Sequence, residues 1–465
     1  MPETRKGGGG PGVVLGVLSL AAFMASLDLF IVNVAFRDIG ESFPDQPLAD
    51  QSWVLNAYAI VYAALLIPIG RYADQHSRKT GFLFGVALFT VASLACAVAP
   101  SLWTLVAARV LQAIGAAALT PTSLGLLVAA FDGPGRARAV RIWAATGAIA
   151  AASGPVVGGV LVELSWRWVF LVNIPIGIGA FVVAARVVQD SSETEKTGTP
   201  DPAGATLVIV AIGALALALV KGQEWGWGGP DTLAAFAVAL VGAAILGRRM
   251  ATHPRPLVEP AMLAVRTFRW STISAIGFGA AFAGFLLTGV LFAQEVWNYG
   301  PITVGLAVAP GPLMVPIFAV VGSRLRTRLS AGTVVALGCA VFAAGCVLTL
   351  SSITIGSDYA ARLLPGLLLS GVGTGLALPE ILATATSELP PDRSTTGSAI
   401  VNAARQIGSV IGVSAVIALL PTIGDLDPLD GFRHALWACV ALALVGGLTG
   451  LRIGRPNPTP SQPSR

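Results

Sequence analysis

Fourteen apolar runs, separated by short polar or Pro/Gly-rich breaks, constrain this chain more than any other feature. They lie at 13–36, 52–70, 82–99, 102–130, 139–163, 168–188, 203–220, 232–247, 270–297, 302–322, 332–351, 360–385, 396–420 and 433–452. A helix of about 20 apolar residues crosses a bilayer. In lipid every backbone polar group must be paired within the protein, which helices do by themselves. Charged residues make up only 11% of the chain, against about 25% in soluble domains. The 54 glycines suit helices packed closely in lipid. The pattern predicts an all-α integral membrane protein with fourteen transmembrane helices.

Loop charges set the expected orientation. With the N-terminus in the cytoplasm, 22 of the 29 Lys and Arg fall in inside segments and 5 in outside segments, while Arg109 and Arg405 lie within helices. Basic residues concentrate on the cytoplasmic side of membrane proteins, so both termini are expected there. The net charge of +5 is scattered through short loops with no patch, which predicts a lipid bilayer around the chain and no nucleic-acid partner. Arginine far outnumbers lysine, and Ala, Gly and Val abound, a composition typical of a GC-rich bacterial genome and hence of a bacterial cell membrane. The N-terminal "MPETRKGGGGPG" leads into an apolar run with no small-residue cleavage site, so that run is expected to be a retained helix.

Enzyme chemistry finds no foothold. Cys96, Cys339, Cys346 and Cys439 sit inside apolar runs without metal or disulfide spacing. No G-x-x-x-x-G-K-[ST] phosphate loop occurs. His76, His253 and His434 lie in loops or at helix ends. No catalytic residue, metal or cofactor is expected, and the chain is read as a non-enzyme.

A faint repeat organises the runs. "IGAAALTP" at 114–121 resembles "VGTGLALP" at 372–379: Gly115 matches Gly373, Ala117 matches Gly375 and Pro121 matches Pro379, an offset of 258. These segments belong to the fourth and twelfth runs, so two helices would be inserted between two six-helix halves. Repeated halves recur in secondary transporters. The expected division is a first half at 1–200, two inserted helices at 201–250, and a linker with the second half at 251–465.

Several strings carry polar groups where they are costly. "GRYADQHSRKTG", Gly70 to Gly81, reads as a tight loop in which Gly70 permits close approach and Asp74 can face a helix N-terminus. Arg78 and Lys79 would hold it at the cytoplasmic face. "ARVLQAIGAAALTPTS" places Arg109 in an apolar helix with Gln112 one turn on. That arginine either snorkels to the interface or faces a polar cavity. In "GAIAAASGPVVGGVLV", Gly154-Pro155 permits a kink, and Gly158 and Gly159 give a smooth packing face.

Together these strings resemble motifs of the major facilitator superfamily. The first is similar to its loop signature G-x-x-x-D-x-x-x-R-[KR]-x-[GA]. The second is similar, more loosely, to an R-x-x-[QG]-G-x-G-x-[AG] pattern linked to proton transfer, with Ala113 and Ala117 where glycines are frequent. The third resembles the antiporter signature G-x-x-x-G-P-x-x-G-G. "WRWVFLVNIPIG" at 166–177 and "NAARQIGSVIGVS" at 402–414 resemble the fourteen-helix drug:proton antiporters. So does "LDLFIVNVAF" around Asp28, which keeps Leu27, Asp28, Asn33, Val34 and Ala35 but carries Phe30 in place of the usual threonine.

The resemblance implies a major facilitator bundle of two six-helix halves plus two inserted helices. It implies a monomeric, proton-coupled antiporter that exports a small amphipathic drug or metabolite by alternating access. An importer on the same fold is the alternative. A bare carboxylate at mid-membrane costs several kcal/mol, so Asp28, with Arg109, is assigned proton coupling. Substrate contact is assigned to Glu380, Arg405, Glu295 and Asn33, and the cytoplasmic gate to Gly70, Asp74, Arg78 and Lys79. Gly154, Pro155, Gly158 and Gly159 form the antiporter motif.

Overall fold

The computed structural model describes residues 10–131, 133–190, 201–420 and 428–453, leaving aside the side chains of 71, 73–75, 133, 134, 137, 141, 144, 148, 391, 392, 394, 395 and 428. The inter-half linker at 191–200 and the chain termini therefore lie outside the described residues. Fourteen helices are long and apolar enough to cross a membrane. They are α1 (Pro11–Val34), α2 (Trp53–His76), α3 (Arg78–Ala97), α4 (Leu102–Ala130), α5 (Gly133–Leu164), α6 (Asn173–Val187, after a turn at Trp168–Leu171) and α7 (Pro202–Trp225). The series continues with α8 (Pro230–Thr252), α9 (Arg266–Glu295), α10 (Pro301–Val308 and Pro310–Leu325), α11 (Ala331–Ser352), α12 (a π turn at Tyr359–Leu363, then Leu364–Thr386), α13 (Pro391–Leu419) and α14 (Pro428–Gly450).

Every apolar run became one spanning helix, but some ends moved. The expected loop Gly70–Gly81 is almost entirely helical. α2 runs on to His76 and α3 begins at Arg78, with only Ser77 between them. The Ser77 hydroxyl accepts from the Thr80 amide at 3.0 Å, an N-cap that lets one residue turn the chain. α10 is interrupted at Ala309 before Pro310, because a proline ring displaces the preceding turn.

The two halves repeat each other's packing. In the first, α1 packs on α5, α2 on α4 and α3 on α4. In the second, α9 packs on α13, α10 on α12 and α11 on α12. Across the seam, α2 meets α13 and α5 meets α10, and shifting each by eight helices exchanges the two contacts.

Glycines make these crossings close. A Cβ on Gly85 of α3 would lie 2.6 Å from Leu119 N and 2.9 Å from Gly115 O of α4. In the second half, a Cβ on Gly338 of α11 would lie 2.6 Å from Ala377 N and 2.8 Å from Gly373 O of α12. With lipid outside and no hydrophobic drive between helices, such backbone-to-backbone packing is a main source of adhesion.

The inserted pair sits at the seam. α7 packs on α8 and also touches α2 and α13. Lys221 Nζ reaches Asp50 at 2.8 Å, and Gln223 Nε2 donates to Ala418 O at 2.7 Å, so one helix end is tied to both halves. At the opposite end Asp201 accepts from the Gly204 amide at 2.9 Å and from Arg249 Nη2 of α8 at 2.7 Å. The Arg249 hydrogen bonds hold the Asp201 carboxyl below the usual carboxylate range. α8 is peripheral and leaves Leu233, Val238, Leu240, Val241 and Ile245 exposed, as expected of a face turned to lipid.

Candidate functional site

Asp28 finds its counter-charge 81 residues along the chain. Arg109 of α4 donates through Nη1 to Asp28 Oδ2, and both side chains are almost fully buried. The other carboxylate oxygen accepts from Gln112 Nε2 at 2.9 Å and from Asn173 Nδ2 at 3.2 Å. Arg109 also donates from Nη1 to Gln112 Oε1 at 2.6 Å and from Nε to Val54 O at 3.1 Å. Its guanidinium lies 4.1 Å from the Tyr58 ring centroid, a cation–π contact. Ser93 of α3 accepts from Gln112 at 2.9 Å and donates its hydroxyl hydrogen bond to Phe89 O at 2.8 Å. Five helices of the first half thus converge on one ion pair. Buried charges persist only when so paired and hydrogen-bonded.

Of the two readings of Arg109, snorkelling is excluded by this burial. Ser93, Tyr58 and Asn173 were not singled out from the sequence. Asn173 was visible as the one amide within "WRWVFLVNIPIG"; Ser93 gave no signal, since serine is common in apolar helices.

One flank of this network opens on a cavity between the halves. Leu29, Phe30 and Asn33 of α1, Asn56 and Tyr58 of α2 and Arg109 line it from the first half. Phe282 and Leu286 of α9 and Arg405, Gln406 and Ser409 of α13 line it from the second. Phe30 and Phe282 meet edge to face across it at 6.4 Å. Asn33 sends its amide back to Leu29 O at 2.9 Å. Among the described residues, no hydrogen bond or ion pair holds the Arg405 guanidinium.

Two of the acids expected at the substrate lie elsewhere. Glu380 is 2.7 Å from Arg326 and accepts from Thr384 at 3.0 Å. It therefore braces α12 against the turn that follows α10 and does not line the cavity. Glu295 is exposed at the end of α9, 3.7 Å from Arg37. Glu380 was placed by depth along a helix, which does not say which way a helix face points, whereas Glu295 lies at the helix end where the sequence put it.

The halves close at the Arg37 end. Arg37 Nη1 donates to Gln294 O at 2.7 Å, Gln294 Nε2 to Val34 O at 3.0 Å and Asn56 Nδ2 to Ser414 Oγ at 3.1 Å. Nearby, burial and then Glu41 push the Asp38 carboxyl up to about 6, against the opposing pulls of a backbone hydrogen bond and Arg37. The glycines of α5 serve this closure. Gly154 and Gly158 lie against Phe30 and Ile31 of α1, while Gly159 lies against Pro301 and Ile302 of α10, and Gly305 faces the Pro155 carbonyl. At the other end, Lys79 donates to Ala185 O at 2.8 Å and Ser77 to Asp190 at 2.9 Å. Gly70 faces Pro121, and Gly125 faces the Arg78 side chain. The Asp74 side chain lies outside the described residues.

The sequence pattern of the Major Facilitator Superfamily matches residues 18–413. A methylenomycin A resistance protein of Streptomyces coelicolor is 32% identical over 96% of this chain and 93% of its own. The multidrug resistance protein Stp of Mycobacterium tuberculosis is 34% identical over 86% of this chain and 74% of its own. The cephamycin export protein CmcT of Amycolatopsis lactamdurans is 32% identical over 91% and 88%. Among solved structures, an auto-inhibited peptide transporter of the POT family superposes with a TM-score of 0.69 at 16% identity, covering 98% of each chain. That likeness is one of fold. The chain, a multi-pass membrane protein of fourteen helices, belongs to the major facilitator superfamily.

Proposed function

We propose that this protein exports a small amphipathic molecule in exchange for protons by alternating access, across a bacterial cell membrane with both termini in the cytoplasm. The observation that carries the reading is the buried Asp28–Arg109 pair on the flank of the inter-half cavity. Protonation of Asp28 would discharge its half of the pair and free Arg109 to swing. A polar network of Gln112, Asn173 and Ser93 stands ready to rearrange around either state. Closure at the Arg37 end leaves the cavity to the cytoplasm, and the turn at Ser77, with Asp74, Arg78 and Lys79, acts as the gate there. The relatives named for resistance and export support the outward direction.

The test is transport in proteoliposomes. A proton gradient, acid on the Arg37 side, should drive drug out of the Ser77 side, with proton uptake accompanying it. Asp28→Asn should abolish both fluxes. Drug movement in the same direction as the proton would establish the importer instead, and undiminished proton coupling in Asp28→Asn would remove Asp28 from the mechanism.

A further inference from the structure

Arg405 projects its charge into the cavity without an acid to meet it. Among the described residues, the one other charged residue lining that space, Arg109, is neutralised by Asp28. Glu380 and Glu295 lie outside it, each beside an arginine of its own. The described lining therefore holds one uncompensated positive charge. An unpaired cation at this depth is costly, and a protein keeps one where something else brings the partner.

Two neighbours bear on the backbone and stem of this arginine. Its backbone carbonyl accepts from Ser409 at 3.2 Å. A Cβ on Gly279 of α9 would lie 3.2 Å from Arg405 Cγ, so the glycine makes room for the stem. Asn56 and Tyr58 line the same cavity, and Asn56 Oδ1 and the Tyr58 hydroxyl are buried without a hydrogen-bond partner.

Phe282 and Leu286 also border a small apolar pocket of the second half, lined by Phe285, Val308, Phe342 and Leu367. The repeat shows why this pocket is apolar. Shifting Arg109 by 258 gives Leu367, and shifting Gln112 gives Ser370. One half keeps the ion pair and the other keeps hydrocarbon.

We propose that Arg405 is an anion-binding residue and that the exported molecule is an amphipathic organic acid. Its carboxylate is held by the Arg405 guanidinium, and its apolar body rests on Phe282 and Leu286 and enters the pocket they border. The proposal rests on the transport reading and adds to it the charge of the cargo. A guanidinium offers a carboxylate two parallel donors, and a cationic guest would meet net repulsion.

Two probes with one ring system and opposite charge, 2-naphthoate and 2-naphthylmethylammonium, test it by calorimetry on the full chain in phosphatidylcholine nanodiscs. Wild type should bind the acid and reject the amine. Arg405→Gln should weaken the acid at least about tenfold and relax the rejection of the amine, a gain that a misfolded variant cannot show. Arg405→Lys should restore part of the acid affinity. Preference of wild type for the amine, unchanged acid affinity in Arg405→Gln, or binding of neither probe would overturn the proposal. Displacement of the acid by phosphatidylglycerol added to the disc would overturn it in favour of a lipid headgroup. Counterflow of bound naphthoate in proteoliposomes separates the two ideas: binding without counterflow refutes transport and leaves the anion site standing.

Discussion

Asp28 and Arg109 hold opposite charges out of reach of solvent, and removing either strands the other. Breaking a buried pair costs about 3–5 kcal/mol, whereas removing both members is close to neutral. Asp28→Asn and Arg109→Gln should therefore each lower the thermal unfolding temperature in detergent, and the double variant should recover most of the loss. A simple sum of the two losses would mean that the pair is not coupled. Asp38 makes the opposite kind of prediction. Its folded value of about 6 lies above its ordinary 3.8, so the native state binds its proton more tightly than the unfolded chain does. The stability this contributes is complete below about pH 3.8 and is lost as pH rises through about 6. Asp38→Asn should unfold later than wild type at pH 7, with the gap closing towards pH 4. A gap that widens on acidification would reverse the sign. Of these residues, Asp28 was legible as a costly acid in an apolar run. Arg109 was singled out with it for proton coupling, but their direct pairing was not legible, because helix depth is readable from sequence while helix rotation is not. The same limit put Glu380 in the cavity when it braces Arg326.

At the scale of helices, α5 carries two packing jobs on successive glycines. A Cβ on Gly158 would lie 3.0 Å from Ile31 Cγ1 and 3.2 Å from Ile31 O, inside the first half. A Cβ on Gly159 would strike the backbone of Pro301 and Ile302 across the seam. Gly158→Leu should abolish transport and lower the unfolding temperature, since it wedges α1 from α5. Gly159→Leu should also abolish transport but leave each half intact, by prising open the Arg37 end. Distances between spin labels on α1 and α9 near that end separate the cases: longer in Gly159→Leu, unchanged in a merely destabilised variant. The glycines of α5 were legible as a smooth face, yet which helix each one meets was not. The counterparts Gly408 and Gly412 of α13 lie at an offset of 254, not 258, because the end of α4 and the start of α5 are longer than the matching parts of α12 and α13. That mismatch hides the repeat from any single alignment. The turn at Ser77 was misread as a loop for a related reason: glycines and charges mark a break, but one capping serine suffices to make it.

For the whole molecule, the count of spans followed from apolar run length, because lipid dictates that length directly, while the six-plus-two-plus-six plan came from the faint repeat between the fourth and twelfth runs. What the runs could not tell was where charge would be left over, and that remainder has an electrical consequence. A cavity open to the cytoplasm takes the cytoplasmic potential, and a positive group within it is then stabilised by a negative cell interior. Turning that cavity outward moves the charge against up to about 2.3 kcal/mol per 100 mV. On the proposed transport reading, with the cavity facing the cytoplasm, an unpaired Arg405 would make the resting voltage a spring that holds the empty carrier in that orientation. A bound anion cancels the charge and releases the spring, so only the loaded carrier turns freely. In proteoliposomes, a cysteine placed at Val413 in a background without the native four should react more slowly with an impermeant reagent from the Arg37 side when the lumen is made negative. Naphthoate or Arg405→Gln should abolish that voltage dependence. A rate indifferent to voltage in the unloaded wild type would show that the membrane field does not reach this charge.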